Sequence, residues 1–266
     1  MSSTVALRWS TAALSTAALA SAWLFGLYII AFYAWAAAGG DLTAWNKLLP
    51  RIYEPQTPGA NAGIGVHFAA GGVILLLGGL QLIGAIRRRW PVLHRWVGRV
   101  YVTAAVLTGL GGLLFIAVKG TVGGTAMNIG FSLYGLLTVL AAVQAWRHAR
   151  AGRFAQHRAW ALRLFALAIG SWLYRMEYGI WIALTHNLGH QKDFHGPFDA
   201  FMAFFFYLPN LLVVEALLRG RRSSAGPVLQ WGASAVVSGA AAFVVLGTWE
   251  FWKRYWGPAI LGWLGL

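Results

Sequence analysis

A chain of 266 residues with 59% apolar and 11% charged positions carries more apolar surface than a water-soluble domain of that length can bury, since globular domains carry about a quarter charged residues. The 21 Lys and Arg against 7 Asp and Glu leave a formal charge of +14, but the basic residues punctuate long apolar runs instead of lining polar faces, which argues against nucleic acid as the partner. Cysteine is absent; this excludes disulfides, iron–sulfur clusters and thiol chemistry and leaves His, carboxylate, Arg and Tyr as reactive groups.

A bilayer core takes about 20 apolar residues per helix, and seven stretches meet that length: 21–38, 64–86, 97–118, 125–146, 159–184, 200–218 and 230–252. Ala18-Leu19-Ala20 has the look of a cleavage site, yet the apolar run continues to Ala38, so the reading is an uncleaved helix. The expected class is therefore an all-α, polytopic membrane protein with about seven transmembrane helices. Three parts are expected: an N-terminal helix and outer loop (1–63), a central four-helix bundle (64–184), and an outer loop with two C-terminal helices (185–266).

Lys and Arg in short loops stay on the cytoplasmic side. With the N-terminus inside, the inner face holds Arg8, Arg87, Arg88, Arg89, Arg95, Arg99, Arg147, Arg150, Arg153, Arg158, Arg163, Arg219, Arg221 and Arg222. The outer face holds only Lys47, Arg51, Lys119, Lys192, Lys253 and Arg254. This asymmetry predicts a membrane protein with a cytoplasmic N-terminus, facing anionic lipid head groups. Two loops, 39–63 and 185–199, exceed what a connector needs, and both fall outside; the first, rich in Pro and Gly with Trp45 and Tyr53, is expected at the interface.

An offset of 63 positions (135 minus 72) aligns Gly72 with Gly135, Leu77 with Leu140, Gln81 with Gln144, Arg87 with Arg150, His94-Arg95 with His157-Arg158, and Ala105 with Ala168, without a gap. Spans two and three are thus read as a duplicate of spans four and five. The two helix hairpins form a parallel repeat that places His94 and His157 across its axis near the cytoplasmic face.

Matching depth on two facing helices is what haem b requires of two axial imidazoles, with Arg or Tyr at the membrane edge for the propionates. His94 and His157 are the candidate iron ligands, and Arg95, Arg99, Arg158 and Tyr101 the candidate propionate partners. The plainer alternative is that these His and Arg residues bind lipid phosphates. His67 has Gly130 as its repeat partner and no symmetry mate; it is either a packing residue or a ligand whose mate is His186, His190 or His195. Arg175 sits within a span, where an Arg costs about 2.5 to 3.5 kcal/mol even on the lenient insertion scale, and such charges usually line a cavity. It shares a helical face with His157, roughly 27 Å away along the axis. Glu177, two residues on, cannot face it, so its anion is either Glu250 or a bound ligand. His186, His190, Asp193, His195 and Asp199 are enough donors for a divalent metal, with a solvated loop as the default. Gly78-Gly79, Gly109 and Gly111-Gly112 permit close helix approach.

The segment from His67 to Arg175 resembles the bacterial membrane proteins catalogued as domain of unknown function 2306. The resemblance rests on His67 heading a Gly-rich span, on Pro91-Val92-Leu93-His94-Arg95-Trp96-Val97-Gly98-Arg99-Val100-Tyr101, and on His157-Arg158-Ala159-Trp160-Ala161-Leu162-Arg163 followed by Arg175. It implies a multi-span inner-membrane protein and no particular reaction. The hairpins with His at their edges are also loosely similar, in architecture alone, to b561-type cytochromes. Two functions follow from the residues: a haem b-binding electron carrier or quinone-linked oxidoreductase, or a non-catalytic binder, transporter or assembly factor in which Arg175, Glu177 and His67 line a cavity for an anionic lipid or small acid.

Overall fold

The structure, a computed structural model, describes residues 2–47, 49–219 and 226–266. Of the expected inner basic residues, Arg221 and Arg222 lie outside the described residues, as does the side chain of Arg219. The described residues are helical, joined by turns and short loops, with no strand among them. Among the described residues, six helical stretches are long and apolar enough to cross a membrane: Ser3–Ala38, Pro58–Leu82, Pro91–Lys119, Gly124–Arg150, Pro197–Leu218 and Pro227–Leu264.

The first stretch starts 18 residues before the expected Ser21, at Ser3. Its Ala- and Leu-rich N-terminal half has high helix propensity, and it is held by Ser3 Oγ donating to Gln230 Oε1 at 2.7 Å. It comprises α1 (Ser3–Ile29), a π-helical turn (Ile30–Ala34) and α2 (Trp35–Ala38). Then come α3 (Pro58–Leu82), the short α4 (Gly84–Arg89), α5 (Pro91–Lys119) and α6 (Gly124–Arg150). The expected span at 159–184 is two helices, α7 (Phe154–Ala168) and α8 (Gly170–Thr185), which meet at Ile169; each is below spanning length alone. The chain continues through α9 (Pro197–Phe205), α10 (Leu208–Arg219), α11 (Pro227–Phe251), a second π turn (Trp252–Trp256) and α12 (Gly257–Leu264).

Helices α3, α5, α6 and α7 pack in sequence as a ring that closes from α7 back to α3. α1 lies on α3 and α11, and α8 leaves the ring to pack on α11. The ring is tight because small residues meet at its crossings. A β-carbon on Gly63 would lie 2.8 Å from the Gly111 carbonyl, and one on Gly109 would lie 2.6 Å from a Val139 methyl and 3.1 Å from the Gly135 carbonyl. Such contacts bring backbones close where lipid offers no hydrophobic drive for association. Ala105, Ala141, Ala142, Leu164 and Leu167 fill the ring's centre, while Leu110, Leu114, Leu136, Leu140, Val245 and Leu246 are exposed on the outside. An apolar exterior of that extent belongs in lipid.

Chain direction assigns the ends. The C-termini of α3 and α6 and the N-termini of α5 and α7 share one end, which carries Arg87, Arg88, Arg89, Arg95, Arg147, Arg150, Arg153 and Arg158 and is called here the basic end. The opposite, far end is closed by two loops. In the first, Trp45 is buried, donates through Nε1 to the Tyr33 carbonyl at 3.0 Å and packs edge-on to Phe68; the loop thus plugs the bundle with this ring, a tighter role than that of an interfacial loop. Glu54 ties it down, bonded to Arg51 at 2.8 Å and paired with Lys119 of α5 at 3.3 Å. The second loop is organised by Asp199, 1% exposed. Its Oδ1 accepts from Tyr178 Oη and His190 Nδ1, both at 2.7 Å, and its Oδ2 from the backbone N–H groups of Gln191 and Gly196, both at 3.0 Å.

Candidate functional site

The α5 and α7 helices begin at Pro91 and Phe154, 63 residues apart (154 minus 91), so His94 and His157 are each the fourth residue of their helix. Both rings are half-buried at the basic end and lie within electrostatic reach of each other. His157 Nδ1 donates to the Ala145 carbonyl on α6 at 2.9 Å. A carbonyl only accepts, so the bond fixes the tautomer and leaves Nε2 with the lone pair. His94 Nδ1 is buried and has no hydrogen-bond partner.

Two groups that sequence reasoning did not single out as site residues join this pair. His148, at the end of α6, has a buried Nδ1 without a partner and lies within reach of His157. Gln81 of α3 packs its side-chain oxygen against Gly98, one turn beyond His94, and its Nε2 is likewise buried without a partner. The recurrence of Gln81 at Gln144 was a sequence signal for the second; nothing in the spacing distinguished His148 from the surrounding basic run.

The expected propionate partners are not gathered into one group. Arg95, Arg99 and Arg158 are exposed, and Arg99 lies over the Trp96 ring at 4.6 Å. Tyr101 is instead inside the ring of helices. It is two turns from His94 on the inward face, 5% exposed and packed on Gly78, and its hydroxyl has no partner. The cause is helical phase: positions 94, 98 and 101 share one face, while 95 and 99 fall on the next. Further along α7, Arg163 makes a two-point contact with Glu215 of α10, Nε to Oε1 at 2.5 Å and Nη2 to Oε2 at 3.1 Å. Glu215 is thereby a tie between helices.

Arg175 lies on α8 in the far half of the protein. It donates from Nη1 to the Ser171 carbonyl at 2.8 Å and sits 4.5 Å above the Phe25 ring of α1. The expected structural tie to Glu250 does not form, because Glu250 pairs with its own helical neighbours Lys253 at 2.8 Å and Arg254 at 3.4 Å. No carboxylate among the described residues lies within ion-pair distance of Arg175. Glu177 points away from it by helical phase; its Oε2 is buried and accepts no hydrogen bond. Within electrostatic reach of Arg175 the fold brings His67 of α3, Tyr28 of α1, Tyr33 of the π turn and Tyr134 of α6, beside its own neighbour Tyr174.

His67 rests in the cradle of Gly111 and Gly112 on α5, where a β-carbon on Gly112 would lie 3.0 Å from its Nδ1. That nitrogen donates to the Thr108 carbonyl at 2.9 Å. None of the proposed outer mates is recruited to it. His190 is held by Asp199, His195 donates to the Asp193 carbonyl at 2.8 Å, and His186 forms the left-handed cap of α8. Among the described residues, no group of three or more His, Asp and Glu side chains is arranged to hold a metal ion.

A ring of apolar-faced helices, too long for a soluble core and studded with interior polar groups, defines a multi-span integral membrane protein. The chain belongs to the family described as "Predicted membrane protein (DUF2306)", whose model matches residues 64–218. Comparisons with curated proteins and with solved structures give no match.

Proposed function

We propose that this membrane protein is a haem b-binding electron carrier or quinone-linked oxidoreductase, in which His94 and His157 would hold the iron. The observation that supports it is that these two rings stand at the same position of their own helices, at one end of a four-helix ring. The donor chemistry fits: neither Nε2 is hydrogen-bonded, and His157 has the Nδ1–H to carbonyl bond that ligating imidazoles generally have, which orients the ring and raises its basicity. Bound haem would supply a one-electron couple.

The chain's own residues would do the rest. The Tyr101 hydroxyl and Gln81 Nε2, both buried and unsatisfied, would hydrogen-bond the cofactor. Arg95, Arg99 and Arg158, exposed at the same end, supply positive potential for propionates or for lipid phosphates. By the positive-inside bias the basic end faces the cytoplasm of a bacterial inner membrane, so electrons would enter or leave on that side.

An absorption spectrum of the chain purified in mild detergent from haem-replete cells tests this. The expected result is a Soret band and a dithionite-reduced α band, both lost in His94→Ala and His157→Ala. A colourless protein that also fails to take up added hemin would remove the proposal.

A further inference from the structure

Three features of the far half point to a second site that does not involve His94 or His157. The first is an unpaired cation: Arg175 carries five N–H donors in a rigid fork, spends one on Ser171 and finds no carboxylate among the described residues. The second is unsatisfied polar groups in the same half of the protein. Thr108, 8% exposed, has a buried hydroxyl without a partner, and so does Tyr174, while His67 keeps Nε2 free because Nδ1 is committed to the Thr108 carbonyl. The third is room. On α3, one turn from His67, a β-carbon on Gly71 would meet only the Thr108 methyl, at 4.0 Å. His67, Tyr134, Tyr174 and Arg175 also remain partly exposed although each is turned toward another helix. The room has a cause in the fold, since α8 departs from the ring at Ile169 to pack on α11.

Aromatic rings line one side of this space: Phe131, Tyr174 and Phe206 are mutually edge-on with centroids 5.2 to 5.7 Å apart. The side toward α1 holds Phe25 and Tyr28, next to the π turn that carries Tyr33. π turns inside α-helices frequently mark functional sites.

We propose that the space between α1, α3, α6 and α8 binds the oxyanion head of an apolar acid drawn from the membrane, with Arg175 as its anchor. A carboxylate or phosphate matches the guanidinium fork with two parallel charge-assisted bonds. A neutral ligand would leave the half-buried cation without a counter-charge. The Tyr174 hydroxyl, on the residue next to Arg175, supplies a further donor, and the partly exposed Phe131 and Tyr174 rings accommodate the hydrocarbon.

The test uses the full-length chain in neutral detergent and three probes that differ in the head group: oleate, dioleoyl phosphatidate and oleyl alcohol. Binding is followed by native mass spectrometry. At least one acid is expected to bind tenfold or more tightly than the alcohol, and which acid it is separates a free carboxylate from a lipid phosphate. Arg175→Gln should bring the acids to the level of the alcohol. Gly71→Phe, which fills the space and leaves Arg175 in place, should abolish acid binding in a chain whose elution profile and helix content are unchanged. Equal binding of acids and alcohol, or acid binding that survives either substitution, overturns the proposal. The haem spectrum of the same samples is expected to be unaltered in both variants, so failure here and failure of the haem reading are separately visible.

Discussion

At the far end, Asp199 accepts four hydrogen bonds, Glu54 holds two cations and Trp45 is bonded and buried. At the basic end, by contrast, the Nδ1 atoms of His94 and His148, Gln81 Nε2 and the Tyr101 hydroxyl are buried without partners. Both sets are polar groups against an apolar bundle, but Asp199, Glu54 and Trp45 each have their partners within the chain, and the four basic-end atoms do not. Buried polar groups are normally satisfied because each one left unpaired costs on the order of 1–3 kcal/mol. A complete network is explained by stability alone; an incomplete one, retained inside a membrane helix ring, calls for a partner from outside the chain.

Substitutions sharpen that contrast by separating stability from ligand binding. The largest loss of stability is expected at the complete end. Asp199→Ala strands the Tyr178 hydroxyl, His190 and two backbone N–H groups and should cost about 3 to 5 kcal/mol, read as a fall in the thermal midpoint in detergent. Gly109→Val at the α5–α6 crossing forces a side chain onto Val139 and the Gly135 carbonyl and should cost about 1 to 3 kcal/mol. His94→Ala and His157→Ala should shift the midpoint of the ligand-free protein much less than Asp199→Ala does, by about 1 kcal/mol, while removing the haem bands. If instead the histidine variants unfold the protein as Asp199→Ala does, both ends are structural and the contrast fails. Arg163→Gln, which breaks a partly exposed pair with Glu215, should cost under about 1 kcal/mol.

The smallest effect is a pH dependence of the first loop. The bond from Arg51, with the Lys119 ammonium beside it, holds the Glu54 carboxyl below the usual carboxylate range. A depressed carboxyl contributes stability that is fully present above its unfolded value and is lost as pH falls through its folded value. Hydrogen-exchange protection of this loop, measured relative to the intrinsic rate at each pH, should therefore fall on acidification through that range. Glu54→Gln should be poorly protected already at neutral pH, with protection independent of pH; wild-type protection insensitive to acid would contradict the assignment.

Much of this architecture was legible in the sequence, because hydropathy and loop charge report directly on the solvent each segment meets. The 63-residue offset also anticipated that α5 and α7 start in register, which is why His94 and His157 come to equivalent places. Less accessible were features set by packing between distant segments. Tyr28, Tyr33, Tyr134 and Tyr174 look like ordinary span aromatics until three helices and a π turn converge on Arg175. Asp199 looks like a loop residue until α8 delivers Tyr178. The irregularity at Ile169 carries no Pro, and the preceding Ala-rich run reads as uninterrupted helix. The separation of Tyr101 from the arginines has a local reason: adjacent residues of a helix differ by 100° in phase, so Arg95 falls on a different wall from His94.

The central claim is that two imidazoles at the basic end share one iron. Hemin titrated into the purified chain and read by electron paramagnetic resonance tests it most directly. The account predicts a stoichiometric low-spin ferric signal of bis-imidazole type that becomes high-spin in His94→Ala and in His157→Ala. Hemin that stays free in the detergent, or a low-spin signal indifferent to both substitutions, would contradict it.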